Sequence, residues 1–263
     1  MSITVRDLRA FKAQGRRFAM LTAYDYPTAQ ILDEAGIPVL LVGDSLAQTI
    51  LGYDTTLPVT MEEMLHHTRA VARGATKALI VGDMPFLSYQ VSIADGVANA
   101  GRFLKEGGAH AVKIEGWMPE LVEQLSTHGI PVMAHLGLTP QSVHAMGGYR
   151  VQGRSEEDAH RLLEQAMGME KAGAFSLVLE GIPSDLGREI TRSLDIPTIG
   201  IGAGPDCDGQ VLVLTDLLGM NSGHYPKFAK PYANLRGEIS KAVIAFANDV
   251  EGGAFPDEEH SYR

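Results

Sequence analysis

A single cysteine, Cys207, stands in a chain of 263 residues. An internal disulfide is therefore impossible, no paired-thiol metal knuckle exists, and Cys207 itself reads as a packed or partly exposed thiol. Long apolar runs are missing as well, none approaching the roughly 20 residues that a membrane-spanning helix requires. Basic residues are in deficit, 22 Lys and Arg against 32 Asp and Glu, which leaves a formal net charge of −10. That sign disfavours nucleic acid and anionic membranes as partners, and it obliges any anionic substrate to meet locally gathered cations. The amino end, Met1 to Asp7, has no basic-then-apolar leader pattern, so the expected location is cytoplasmic.

What the chain does contain is a repeated grammar, an apolar run that ends in a polar group and is followed by an amphipathic stretch. Phe18–Tyr24 delivers Asp25, Pro38–Gly43 delivers Asp44 and Ser45, and Ala78–Gly82 delivers Asp83. Ala109–Gly116 carries Lys113 and Glu115, Pro131–Gly137 carries His135, and Phe175–Gly181 carries Glu180; Pro197–Gly204 and Gln210–Thr215 complete eight candidate strands. The second is apolar almost throughout, as strands covered on both faces are. Helical patterns separate them over Thr28–Ala35, from a capping box at Thr60–Glu63 through residue 75, and over Ile93–Lys105, Pro119–Thr127, Ser155–Gly173 and Leu186–Ser193. Ala233–Asn248 reads as a long helix after the last strand, and Thr4–Gln14 as a short one capping one end of the body. Eight such units with right-handed crossovers close into an α/β fold, a (β/α)8 TIM barrel forming one domain over 1–263 with a polar tail from about residue 251. An open doubly wound sheet is the alternative architecture.

In a barrel the strand carboxyl ends converge, so Asp44, Asp83, Glu115, His135 and Glu180 would meet. Within 109–116, alternation turns Lys113 and Glu115 to one face, with His110 read on the same side. A buried ammonium and carboxylate each need partners. Several carboxylates gathered together repel unless a cation sits among them, and all-oxygen ligation points to a hard divalent ion such as Mg2+. An ion holding a 2-oxo acid through its carboxylate and ketone would favour an enolate, with Lys113 adding a second positive charge and Glu180 placed as the base. Plainer roles exist for each residue. Asp25 and Ser45 suit helix caps, His135 suits a hydrogen-bonded core, and His66-His67 on a helix carries no assignment. Gly200-x-Gly-x-Gly204 lacks the full dinucleotide spacing and reads as tight packing or as backbone approach at the site. Leu138–Arg154, rich in glycine and containing Arg150 and Arg154, is the candidate lid.

The chain resembles the ketopantoate (3-methyl-2-oxobutanoate) hydroxymethyltransferase family from end to end. The resemblance is carried by Leu21-Thr-Ala-Tyr-Asp25, Val42-Gly-Asp-Ser45, Gly82-Asp-Met-Pro85, Val112-Lys-Ile-Glu-Gly116, His135-Leu-Gly-Leu-Thr-Pro-Gln141, Gly147-Gly-Tyr149, Val151-Gln-Gly-Arg154 and Ile199-Gly-Ile-Gly-Ala-Gly204. It implies a barrel of the phosphoenolpyruvate/pyruvate-binding type, a homodecamer, and one Mg2+ per subunit. It also implies transfer of a hydroxymethyl group from 5,10-methylenetetrahydrofolate to 3-methyl-2-oxobutanoate, giving 2-dehydropantoate in pantothenate biosynthesis. Carried over to this sequence, Asp44, Asp83 and Glu115 hold the metal, Asp44, Ser45, Asp83, Lys113 and His135 contact the oxo acid, and Glu180 is the proton acceptor. Arg150 and Arg154 are placed to meet either the folate's glutamate tail or acidic residues at a subunit contact. Two rivals remain: an isocitrate-lyase-like enzyme, whose catalytic cysteine loop Pro205-Asp-Cys-Asp-Gly209 does not resemble, and a noncatalytic 2-oxo-acid sensor, which would need no base.

Overall fold

Eight parallel strands close into a barrel in a computed structural model that describes residues 2–221, 223 and 225–262. They are β1 (Phe18–Thr22), β2 (Val39–Val42), β3 (Leu79–Asp83), β4 (Ala111–Glu115), β5 (Val132–Gly137), β6 (Ser176–Glu180), β7 (Thr198–Ile201) and β8 (Gly209–Leu212). Each pairs with the next, and β8 pairs with β1 in register from Phe18↔Gly209 to Leu21↔Leu212, which rules out the open sheet. The chain forms two compact units, Met1–Val213 and Leu214–Arg263, and all eight strands belong to the first.

Alternation along the strands builds the barrel interior. Val39, Leu41, Leu79, Val81, Ala111, Met133, Val178, Ile199 and Val211 point inward and form one buried cluster. Leu8 and Phe11 of α1 (Val5–Ala13) join that cluster, so this helix packs on the barrel core as its sequence pattern predicts. Continuing the same parity one pleat further brings the inward positions to Asp83, Lys113, Glu115, His135 and Glu180. The apolar layers and the polar layer are thus one pattern read from opposite ends. His110 departs from the reading that groups it with Lys113. His110 lies three positions before Lys113, an odd step, so it is on the other side, exposed, with its Nδ1 accepting from the Ile80 N–H at 3.0 Å.

Helices α2 (Tyr26–Glu34), α3 (Leu46–Thr49), α4 (Met61–Gly74), α5 (Ile93–Arg102), α6 (Pro119–Thr127), α7 (Glu156–Lys171) and α8 (Ser184–Ser193) occupy the connections. Asp25 caps α2, accepting from the Thr28 N–H at 2.8 Å, and has that plainer role. The capping box of α4 is closed in both directions between Thr60 and Glu63. Two elements change character where the sequence pattern continues them. The helix expected over 93–105 gives way after Arg102 to a π-helical turn, Phe103–Gly107, which seats the fully buried Phe103. The eighth strand stops at Leu212, because Leu214–Leu217 turns into a short helix, α9.

The second unit contains α9 and α10 (Leu235–Glu251), the latter starting two residues later than the expected Ala233, with the Asn234 side chain capping it. The end of α10 coincides with the expected start of the polar tail; Arg263, the last residue of that tail, lies outside the described residues. Among the described residues no helix is long and apolar enough to cross a membrane.

Candidate active site

The polar groups at the strand ends form one continuous buried chain. Asp44 lies just past β2, and its backbone N–H donates to Asp83 Oδ2 at 3.1 Å. Lys113 Nζ lies 2.8 Å from Asp83 Oδ1, 3.5 Å from Glu115 Oε1 and 3.3 Å from His135 Nδ1. The imidazole continues the chain, with Nδ1 3.4 Å from Glu115 Oε1 and Nε2 3.2 Å from Glu180 Oε2. Strand register sets this order: Asp83 is the pairing partner of Lys113, Glu115 of His135, and Glu180 of Gly137. Gly137 is needed where β5 meets β6, since it sits at φ +95° and a Cβ there would lie 2.2 Å from the Glu180 carbonyl oxygen. Asp44, Asp83, Lys113, Glu115 and His135 are each at most 5% exposed, and Glu180 is half-buried at the near edge.

Negative charge exceeds positive in this space. Burial, reinforced by Asp83 and Glu115, holds the Asp44 carboxyl well above the usual range, and burial raises Asp83 despite the ammonium beside it. Burial opposes the charge of Lys113, yet Asp83, Glu115 and Asp44 together hold it above its ordinary value and keep it an ammonium. Burial likewise works against Glu115, but Lys113 and His135 bring it down to about 2. For His135, burial and Lys113 favour the neutral ring; the carboxylates at both its nitrogens outweigh them and raise it to about 9.

The sign of the consequence follows from linkage. A histidine raised in the folded state adds stability that is complete below its unfolded value of about 6.5 and is lost as pH rises through about 9. Urea unfolding of metal-free wild type and His135→Gln should therefore show a stability difference whose pH-dependent part, of order 3 kcal/mol, disappears between about pH 6.5 and 9. A difference that stays flat across that window refutes a charged His135.

Ser45 opens α3 beside this chain, its Oγ 2.9 Å from the Tyr24 hydroxyl. Two further residues that carried no sequence assignment complete the site. The Tyr89 hydroxyl accepts from the Glu115 N–H at 3.0 Å and donates to Gln141 Oε1 at 2.7 Å. Gln141 donates through Nε2 to Asp44 Oδ2 at 3.0 Å, and its backbone N–H donates to Glu115 Oε2 at 3.0 Å. Gln141 is visible in the sequence as the last residue of the motif that begins at His135; nothing in the sequence around Tyr89 marks it.

Segment 138–154 carries a 3-10 turn at Pro140–Ser142 and is tied at both ends, by Leu138 N–H to Glu180 O at 2.8 Å and Gln152 N–H to Gly181 O at 2.9 Å. Arg150 and Arg154 are both exposed. Under this segment, between Trp117, Leu136, Ser142, Gln152 and Leu162, lies a cavity of about 250 Å3 that includes none of the six chain residues. Elsewhere, His66 is exposed and His67 Nδ1 meets the Tyr24 carbonyl at 2.6 Å, outside the site. Cys207 is buried, and Gly204 packs so closely on Ser184 that a Cβ would come within 2.5 Å of it, which is the tight-packing role expected of that glycine.

The ketopantoate hydroxymethyltransferase family model matches residues 2–258. The chain belongs to this family. Curated 3-methyl-2-oxobutanoate hydroxymethyltransferases from Syntrophus aciditrophicus and Geotalea daltonii are each 55% identical to it. The first match covers 99% of this chain and 96% of the relative, the second 98% of each. It is thus an enzyme family with bacterial members aligned over nearly their whole length. Among solved structures, phosphonopyruvate hydrolase in complex with oxalate and Mg2+ superposes with a TM-score of 0.63 at 14% identity, over 98% of this chain and 93% of that one. A 2,3-dimethylmalate lyase of the PEP mutase/isocitrate lyase superfamily gives 0.61 at 16%, over 99% and 92%. At such identities these two establish the barrel fold.

Proposed function

We propose that this member of the family transfers a hydroxymethyl group from 5,10-methylenetetrahydrofolate to 3-methyl-2-oxobutanoate, forming 2-dehydropantoate, by way of an enolate. The observation that carries the reading is the single buried chain from Asp44 to Glu180, in which a fixed ammonium and a carboxylate only 15% exposed face one space at the strand ends. Membership of the family and the names of its 55% identical relatives support the substrate.

The donor set suits Mg2+. Asp44, Asp83 and Glu115 supply only oxygen, and the first two have carboxyls raised by burial and mutual repulsion, which a cation would relieve. Among the described residues no three acidic, histidine or cysteine side chains stand close enough to ligate an ion unaided. Magnesium commonly takes only one or two carboxylates directly and completes its shell with water and substrate oxygens. The Mg2+ in the oxalate complex of phosphonopyruvate hydrolase, on the same fold, supports this choice. When bound, the ion supplies positive charge beside the ketone oxygen as that oxygen becomes anionic.

The residues of the chain do the rest. Lys113 offers a permanent ammonium to the oxo acid, and Ser45, steadied by Tyr24, offers a hydroxyl beside Asp44. Glu180 takes the proton from C3, the carbon next to the ketone, and the electron pair left there forms the new carbon–carbon bond to the methylene carbon, whose two bonds to folate nitrogen break; one water supplies the hydroxyl oxygen, and its proton and the one taken from C3 end on the nitrogens of the departing tetrahydrofolate. His135, with Nε2 3.2 Å from Glu180 Oε2, sets a positive charge beside the base and so links it to the same chain that binds substrate. Arg150 and Arg154, exposed on segment 138–154, are available to the folate's anionic tail. The same reading carries a cytoplasmic decamer: no residue of α10 is buried, and Val243, Ile244 and Phe246 are at least 57% exposed, an apolar surface suited to association between copies.

Incubation with 3-methyl-2-oxobutanoate and Mg2+ in D2O, without folate, tests the reading. The C3 proton signal should vanish from the NMR spectrum at a rate set by enzyme concentration. Tight binding with no exchange would make the protein a 2-oxo-acid sensor instead.

A further inference from the structure

Gln141 is a neutral residue that meets the carboxylate chain at two of its members, Asp44 through its side chain and Glu115 through its backbone N–H, and every polar position of its amide is used. Nε2 donates to Asp44 Oδ2 at 3.0 Å and to the Met84 carbonyl at 2.9 Å. Oε1 accepts from the Tyr89 hydroxyl at 2.7 Å and from Gln90 Nε2 at 3.0 Å. With two donors and two acceptor sites, the amide has no capacity left. Its orientation is fixed by these neighbours, since turning it over would set Oε1 against a carboxylate and a carbonyl and leave the Tyr89 hydroxyl facing an NH2 group.

The result is a sorting of oxygens. Asp44 Oδ2 is committed to the Gln141 amide and Glu115 Oε2 to the Gln141 backbone N–H. Glu115 Oε1 is left facing Lys113 and His135, and Asp44 keeps Oδ1. Rotating either carboxylate would strand a donor of Gln141, a residue only 5% exposed, where water cannot replace the lost partner. Tyr89, 1% exposed, locks the arrangement by joining Gln141 Oε1 to the backbone of Glu115.

We propose that Gln141 is a positioning residue, held by Tyr89, that fixes which oxygens of Asp44 and Glu115 face a divalent cation. The proposal rests on the reading of these carboxylates as a cation site. It also explains the first part of segment 138–154, where Gln141 pins the turn at Pro140–Ser142 to the ends of β2 and β4, so that any movement of the segment pivots beyond it.

The test uses Mn2+ as the probe, with the free ion counted by electron paramagnetic resonance in protein stripped with EDTA. Gln141→Met keeps the length and removes every side-chain amide bond; Tyr89→Phe removes one oxygen. Loss of groups that orient metal ligands typically costs about 10–100-fold in affinity, and Gln141→Met should weaken Mn2+ binding by that factor, with Tyr89→Phe about 3–10-fold weaker. In turnover, the Mg2+ concentration for half-activation should rise by the same factor while the rate at saturating Mg2+ returns to within about threefold of wild type, a recovery that a merely structural defect would not show. Mn2+ affinity within about twofold of wild type in Gln141→Met overturns the proposal, as does a rate loss that saturating Mg2+ leaves untouched. If Gln141→Met fails to fold, Tyr89→Phe decides by the same criterion. Wild type that takes up no Mn2+ overturns the cation reading itself, an outcome distinct from wild type and variants binding alike.

Discussion

Lys113→Met is expected to lose turnover by about 100–1,000-fold while still taking up a divalent cation at least as tightly as wild type. The two effects part because the ammonium serves the substrate and the carboxylates in opposite senses. It faces the position where negative charge grows on an oxo acid, so its removal withdraws stabilisation of that charge. It also competes with any cation for Asp83 and Glu115, which lie 2.8 and 3.5 Å from it. Stability should fall as well, by about 3–5 kcal/mol at pH 8, because breaking a buried pair leaves uncompensated charge behind. The loss should depend on pH with a definite sign. Without Lys113 the folded-state values of Asp83 and Glu115 rise, so the folded protein retains protons that the unfolded chain has released, and stability drops as pH rises through those values. Urea unfolding of the metal-free variant should therefore approach wild type at about pH 4 to 5 and diverge above it. Equal destabilisation at pH 5 and pH 8, or more than a tenth of the wild-type rate, counts against this account of Lys113.

Glu180→Gln isolates the proton transfer. The replacement keeps the shape and a hydrogen-bonding oxygen for His135, whose Nε2 lies 3.2 Å from Glu180 Oε2, but it cannot accept a proton. Exchange of the C3 proton in D2O should slow by about 100–10,000-fold, the usual worth of a placed general base, while calorimetry finds 3-methyl-2-oxobutanoate bound within a few-fold of wild type. A pH profile of exchange that is the same in both proteins removes Glu180 from that post. Parallel losses in binding and exchange reassign it to holding the substrate.

Much of this geometry is written locally. The step of two along a strand is enough to turn Lys113 and Glu115 the same way and to set Val81 under Asp83, and the same step carries His135 and Glu180 into that layer. The rule also corrects the placement of His110, which lies three residues before Lys113 and so faces away from it. Caps are equally legible, since Asp25 and the Thr60–Glu63 box act within three residues of themselves. Boundaries set by neighbours are not. Phe103 takes a π-helical turn where the pattern continues a helix, and the eighth strand ends where Leu214 enters α9.

By itself, then, the sequence determined the alternating order of strand and helix, the family, and which ionisable groups sit at the strand ends, because each follows from periodicity or from motifs a few residues long; that β8 closes on β1 was decided by the tertiary structure. The tertiary structure alone decided how those groups share charge, and it brought in Gln141 and Tyr89. Gln141 meets Asp44 across 97 positions and Tyr89 across 52. Bonds of that reach are made by the closure of the barrel, and no spacing within a single element records them.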